Sequence, residues 1–358
     1  MIDRSHQMED SNEIHNPSGD EMGAPAVNKR LTFGTVLRFV VPLAITVLLV
    51  WYMFEHLDFA GLWETVRHGV DYKWILMAMG VSVLSHIFRA LRWRLQLRAI
   101  GVTPPLMALC CSIFGTYALN LVFPRLGEVW RCTYISRREK APFAKVLGSM
   151  VADRLSDTLT VLCILLLTLC LAHNRIIEFM DKYRIGSDIL AMLSSVKFWV
   201  IATCSVAAIV AVFHLFRNTR PVRTMRRLLG DMWRGFAAIG RMQGRGAFVG
   251  YTICIWGCYF LQLYLAFFAF SCTYDLIETP STYAGLIPCL VAFVLSSLGM
   301  AVPSNGGLGP WNVCIIFALS MYGVATEPAT AMSIVVWSAQ TLMLIILGIY
   351  TAIYTTKR

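Results

Sequence analysis

Along this chain, apolar runs long enough to cross a bilayer alternate with short stretches that hold most of its charge. A helix needs roughly 17 to 25 apolar residues to span a hydrocarbon core of about 30 Å, whereas the strands of a membrane barrel would be about 10 residues long and alternating. Residues 39–54, 74–91, 146–172, 198–216, 248–270 and 331–354 read as full spans. Three more apolar pieces, 106–123, 284–300 and 311–322, are broken or short. The pattern predicts an all-α polytopic membrane protein with about six full spans and two re-entrant hairpins.

The direction of each span follows from the Lys and Arg residues, which accumulate on the cytoplasmic side. Residues 1–30 are polar and read as a disordered cytoplasmic tail, without the basic start and apolar run of a signal peptide. Lys29, Arg30 and Arg38 then hold the start of the first span inside. The connection 55–73 is rich in Glu and Asp and belongs outside, and the next span returns to Arg89, Arg92, Arg94 and Arg98. If 106–123 crossed fully, Arg125, Arg131, Arg137, Arg138 and the arginine-rich loop 217–247 would all lie outside. A hairpin over about 106–136 that dips in and returns removes both conflicts. The mixed loop 173–197 falls outside, and the helical spacing of apolar positions in 217–247 suits a helix lying on an anionic surface. The uncharged connector 301–310 reads either as a short cytoplasmic turn between two short spans or as the tip of a second hairpin entering from outside, the reading that the short piece 311–322 favours, and Lys357-Arg358 ends inside.

Span, span, cytoplasmic hairpin, span is thus followed by span, span, external hairpin, span. This arrangement is an inverted-topology repeat, with halves at about 38–172 and 198–354 inside one membrane domain at 31–358. Glycine- and proline-broken segments at matching places in two inverted halves point to a transporter whose site lies where the breaks meet.

The candidate residues cluster at those breaks. The stretch 120–131 ends an apolar run with Asn120, Pro124, Arg125, Gly127, Glu128 and Arg131. Ionised groups and broken backbone persist at membrane depth only where protein or a water-filled cavity surrounds them. Arg125, Glu128 and Arg131 are three apart and would form one charged ridge. It reads either as an internally paired anchor or as a seat for an anionic headgroup, with Glu128 orienting two guanidiniums that match phosphate bidentately. In the following span, Asp153, Arg154 and Asp157 must pair or face water, since a charge mid-span costs roughly 2.5 to 3.5 kcal/mol. A clamp on the hairpin arginines and a proton or headgroup relay both fit. Along and just past span 74–91, a stripe of Ser82, Ser85, His86, Arg89 and Gln96 either faces a cavity or ends in snorkelling arginines. Pro303, Asn305, Gly306, Gly307 and Gly309 form the second break.

Composition agrees with this picture. Hydrophobic residues make up 57% of the 358 and charged ones 15%, which excludes an ordinary water-soluble domain. The net charge of +10 is read as topology and attraction to anionic lipid, not as nucleic-acid binding. The eleven cysteines lack paired metal or redox spacing and receive no role. No cofactor or metal is expected.

The segments Arg89-Ala90-Leu91-Arg92-Trp93-Arg94, 120–131, Asp153-Arg154-Leu155-Ser156-Asp157, and Pro303 followed by Gly306-Gly307-Leu308-Gly309 carry a resemblance over about residues 35–355. The chain resembles the flippase-like transmembrane region of lysylphosphatidylglycerol synthases and its stand-alone relatives. The resemblance implies lipid translocation, with two hairpins framing a headgroup cavity. Relatives that make aminoacyl lipid add a soluble domain after this region, so the chain ending at Arg358 is not expected to be a synthase. Where the family often follows the last glycine with Val-Arg-Glu, this chain has Pro310-Trp311-Asn312.

The expected function is therefore a lipid flippase of the cytoplasmic (inner) membrane with both termini inside and anionic membrane lipids as partners. The arginines Arg89, Arg92, Arg125, Arg131 and Arg154 would contact the headgroup, and Glu128, Asp153 and Asp157 would orient them or hold a cationic group. The alternatives are a membrane-embedded glycosyl or headgroup transferase, with Asp153 and Asp157 as its carboxylates, and an accessory subunit that partners a lipid-synthesis enzyme through the basic loop.

Overall fold

The computed structural model describes residues 69–182 and 244–356, apart from positions 124 and 303, together with the isolated residues 67, 203 and 230. The expected tail 1–30, the spans 39–54 and 198–216, most of the basic loop 217–247, Pro124 and Pro303 lie outside the described residues.

Among those described, the chain is all helix, with one isolated antiparallel bridge between Val70 and Phe270. In order the helices are α1 Tyr72–Ala99, α2 Leu106–Val122, α3 Leu126–Arg138, α4 Phe143–Leu171, α5 His173–Lys182, α6 Arg245–Phe267, α7 Ser271–Glu278, α8 Leu286–Gly299, α9 Pro310–Ser320 and α10 Thr326–Thr356. Of these, α1, α4, α6 and α10 are long and apolar enough to cross a membrane. At about 1.5 Å per residue, α8 and α9 would be some 21 and 16 Å long, short of the roughly 30 Å hydrocarbon core.

Two expected boundaries shift. The second span was expected to stop near residue 91, but α1 continues to Ala99, because Arg89 and Arg92 are buried and paired rather than marking a wet helix end. The stretch expected as loop from 173 instead begins with the helix α5, whose Arg175 pairs with Glu178 one turn on.

Pairs of short helices form the two hairpins. In the first, α2 and α3 are joined by residues 123–125, and Gly127 lets them meet. A Cβ there would run into the Thr116 carbonyl oxygen and lie 2.8 Å from Asn120 Oδ1. In the second, α8 and α9 are joined by residues 300–309, where Gly306, Gly307 and Gly309 take positive φ of 61°, 82° and 90°.

The packing crosses between halves. The bridge at Val70 and the bond from Asp71 N to Ala269 O (2.9 Å) tie the start of α1 to the end of α6, so these helices run antiparallel. Helix α2 packs on α10, where Gly348 meets Ala118 with no room for a Cβ, while α8 packs on α4. One apolar core gathers Ala90, Trp93, Leu97, Leu109, Ile113 and Ile135 in the first half, and a second gathers Phe267, Phe270, Phe293, Ile315 and Met332 in the other. The outward faces of α4 and α10 expose Leu159, Leu162, Leu166, Leu342 and Ile346, as a lipid-facing surface does.

Candidate functional site

Helical spacing puts Ser82, Ser85, His86, Arg89, Arg92 and Gln96 on the inward side of α1, and all six are buried. Asp153 and Asp157, one turn apart on α4, face them. Arg92 donates from Nε and Nη2 to Asp153 Oδ1 at 2.9 and 2.6 Å, and from Nη2 to Asp157 Oδ1 at 2.7 Å. Arg89 Nη1 donates to Asp157 Oδ2 at 2.6 Å and lies 3.5 Å from Asp153 Oδ2. Two guanidiniums and two carboxylates thus close a charged lattice near mid-helix, where each charge alone would cost roughly 2.5 to 3.5 kcal/mol. Removing one partner from such a lattice strands the other.

On its far side the lattice meets neutral hydroxyls. Arg89 Nε and Nη2 donate to the Tyr259 hydroxyl of α6 at 3.3 and 3.2 Å, and that oxygen lies 3.4 Å from the Tyr117 hydroxyl of α2. Arg92 Nη1 reaches Thr252 Oγ1 at 3.4 Å. His86 packs against Tyr117 with ring centres 4.6 Å apart and the rings tilted by 34°, and among the described residues neither of its nitrogens has a hydrogen-bond partner.

The first hairpin supplies the third wall. Asn120 fastens its break, accepting from Gly127 N at 2.9 Å and donating to the two Glu128 carboxylate oxygens at 3.3 and 3.2 Å. Glu128 faces Arg154 Nη2 at 3.4 Å, and Arg154 Nη1 in turn lies 3.8 Å from Asp157 Oδ2. Arg131 is wholly buried, its guanidinium over the Trp93 ring at 4.5 Å and 3.6 Å from Asp153 Oδ2. The Trp93 indole is held by donating to Ser149 Oγ at 3.1 Å.

The second hairpin touches the first at their tips. Gly306 N donates to the Asn120 carbonyl at 3.1 Å, and a Cβ on Gly306 would lie 2.6 Å from Leu121 Cδ2. The Gly306 carbonyl accepts from Trp337 Nε1 at 3.0 Å. Arg125, in a left-handed conformation at φ 63°, donates to the Ala301 carbonyl at 3.1 Å. Asn312 Oδ1 accepts from Gly309 N at 3.1 Å while its Nδ2 donates to Ser333 Oγ at 3.3 Å, so a neutral amide braces the turn where the resemblance anticipates a charge pair.

Of the residues named from sequence, Arg89, Arg92, Asn120, Gly127, Glu128, Arg131, Asp153, Arg154 and Asp157 come together. Arg125 stands apart at the tip contact, and Asn305, Gly306, Gly307 and Gly309 line the opposing loop. The single ridge of Arg125, Glu128 and Arg131 does not form, because the left-handed turn at Arg125 swings it away and Glu128 pairs with Arg154 of α4. Nor do Arg89 and Arg92 snorkel. The clamp on Asp153 and Asp157 is made chiefly by these two α1 arginines, with the hairpin's Arg131 farther off.

Sequence reasoning missed Tyr117, Thr252, Tyr259, Gln262 and Gln340. The last two join Ser82 in a neutral cluster, where Gln262 Nε2 donates to Gln340 Oε1 at 2.7 Å and Gln340 Nε2 to Ser82 Oγ at 3.1 Å. Thr252, Tyr259 and Gln262 share a helical face by their spacing of seven and three, the same signal that exposed the α1 stripe.

Comparison with known proteins finds sequence relatives among membrane proteins. The family model of the lysylphosphatidylglycerol synthase TM region matches residues 39–348. A UPF0104 membrane protein of Pyrococcus horikoshii is 20% identical over 318 residues, 83% of this chain and 90% of that protein. The glycosyltransferase AglD of Haloferax volcanii is 28% identical over 138 residues, 38% of this chain and 21% of that protein.

Proposed function

The chain belongs to the family of the lysylphosphatidylglycerol synthase TM region, and from that membership we propose that this multi-pass membrane protein carries a polar-headgroup lipid between the leaflets of the cytoplasmic membrane. The observation that carries the reading is the enclosed cluster of Arg89, Arg92, Arg131, Arg154, Glu128, Asp153 and Asp157, set mid-helix beside the meeting point of two broken hairpins. A lipid headgroup crossing the hydrocarbon core needs a polar path. Charged side chains held inside a bundle supply one, while the acyl chains stay in the bilayer.

In this reading, residues 31–358 form one domain of two inverted halves, with the termini and the mouth of the first hairpin in the cytoplasm. The packing supports the inversion. Exchanging α1, α2, α3 and α4 with α6, α8, α9 and α10 turns each of the contacts α2 with α3, α3 with α4, α1 with α2, and α2 with α10 into another contact of the bundle, whereas the contacts of α1 with α4 and with α10 have no counterpart of like extent. The exchanged helices α1 and α6 are antiparallel, as inverted copies require. Parting of the two tips, held by a few hydrogen bonds, would open the cluster to one leaflet and then the other.

The test is transfer of a fluorescent phospholipid across vesicles containing purified protein, read by a quencher confined to the outside. Transfer well above that of empty vesicles, lost when Arg92 and Asp153 are replaced together by Met and Leu, is the expected result. Protein-free rates would end the reading. A second reading, a glycosyl or headgroup transferase on a lipid carrier, is favoured by the name of the Haloferax relative. Its base would have to be Asp153 or Asp157, both engaged by arginines here. Incorporation of labelled donor into lipid by the purified wild-type protein would favour it, and no incorporation would end it.

A further inference from the structure

We propose that the interior cluster takes a lipid phosphate as a single-charge anion, a phosphodiester, and disfavours a cationic aminoacyl headgroup; this rests on the reading of the protein as a lipid translocator. The ground is an imbalance in the cluster. Among the described residues, Arg89, Arg92, Arg131 and Arg154 face only Asp153, Asp157 and Glu128, so one positive charge has no counterpart there. A proton on the neighbouring His86 would only enlarge the surplus.

The hydrogen bonds show where the surplus lies. Asp153 Oδ1 and both oxygens of Asp157 accept from Arg89 or Arg92, and both oxygens of Glu128 accept from Asn120. Among the described residues Asp153 Oδ2 accepts no hydrogen bond, but it stands within 3.5 and 3.6 Å of two guanidiniums, which would repel an incoming cation. The unmet capacity is on the donor side. Among the described residues, Nε, Nη1 and Nη2 of the fully buried Arg131 have no hydrogen-bond partner, and neither does Nε of Arg154. Arg154, with 36% of its side chain exposed, forms the open edge of the cluster and Arg131 its floor.

What such a site lacks is an acceptor with negative charge. Buried donors left unmet are costly, and a guanidinium fork matches two phosphate oxygens in one plane. A phosphodiester brings a single negative charge, equal to the surplus, whereas a dianionic monoester would leave the buried cluster net negative. An ammonium would find each carboxylate already paired and would raise a positive charge that nothing balances. Charge balance, more than shape, then sets the selection. Diacylglycerol phospholipids and isoprenyl monophosphates esterified to a sugar both present this diester on an apolar anchor.

The experiment compares four fluorescent lipids in phosphatidylcholine vesicles holding the wild-type protein: phosphatidylglycerol, an isoprenyl phosphohexose, phosphatidylcholine and lysylphosphatidylglycerol. At least one of the two net-anionic diesters should move tenfold or more faster than lysylphosphatidylglycerol, and the faster of the two identifies the kind of anchor. In parallel, short-chain phosphatidylglycerol should raise the melting temperature of the detergent-solubilised protein, and the rise should vanish in Arg131→Gln and partly return in Arg131→Lys. Equal or faster transfer of lysylphosphatidylglycerol, or an undiminished melting shift in Arg131→Gln, would overturn the proposal. If Arg131→Gln does not fold, the wild-type ranking of headgroups decides. If no lipid moves at all, the translocator reading fails by itself, and the melting shift still decides whether the anion site exists.

Discussion

On the proposed inverted arrangement, the two halves are cross-braced at matching places with opposite chemistry. In the first, α1 is pinned to α4 by Arg89 and Arg92 on Asp153 and Asp157; in the second, α6 is pinned to α10 by Gln262 on Gln340. The hairpins differ in the same way. Asn120 fastens the first beside Glu128 and Arg131, and Asn312 fastens the second beside Gly309 and Ser333. A brace only has to hold helices together, and amides inside a membrane do that without net charge. Ionic braces in one half therefore mark where the chain bears the cost of buried charge, and under the proposed function a charge-recognising site is the physical reason to bear it.

The sharpest way to break the comparison is to remove one ionic partner. Asp153→Asn strands Arg92 and should cost about 3 to 5 kcal/mol, read as a large loss of folded yield and melting temperature in detergent. Loss of less than a kcal/mol would mean that the lattice is solvated and not a brace. Gly127→Ala comes next: its methyl meets the Thr116 carbonyl, and overpacking of this kind costs about 1 to 3 kcal/mol. An unchanged melting temperature would show that α2 and α3 do not close on each other as described. In the neutral half, Gln340→Leu should cost only about 0.6 kcal/mol, with an upper bound near 1.7. A cost matching that of Asp153→Asn would erase the distinction between the halves. Smallest is Arg125→Gly. It relieves a left-handed residue by about 1 to 2 kcal/mol and loses one hydrogen bond to Ala301 worth about 0.5 to 1.5 kcal/mol, so stability should stay nearly level.

These contrasts also explain what the sequence disclosed. The helical class, the breaks between the short helices and most of the charged cluster were legible, because a charge inside an apolar run has few places to go. The partners were harder. Glu128 lies three residues from both Arg125 and Arg131, but the left-handed turn and the packing of α3 on α4 hand it to Arg154, a choice no local spacing contains. The end of α1 was misjudged for a related reason: arginines near a span end look interfacial until another helix supplies their carboxylates. Tyr259, Gln262 and Gln340 passed unnoticed because lone neutral polar residues barely lower the hydropathy of a span.

The most direct test of opposed halves is the sidedness of the two hairpin mouths. Arg138→Cys, at the end of α3, and Ser320→Cys, at the end of α9, would be placed singly in a cysteine-free variant in sealed, oriented vesicles and exposed to a membrane-impermeant thiol reagent. The account expects position 138 to react only from the cytoplasmic face and position 320 only from the opposite one. Reaction of both from the same face would mean that the halves are not inverted, and the two hairpins could not meet inside the membrane from opposite sides.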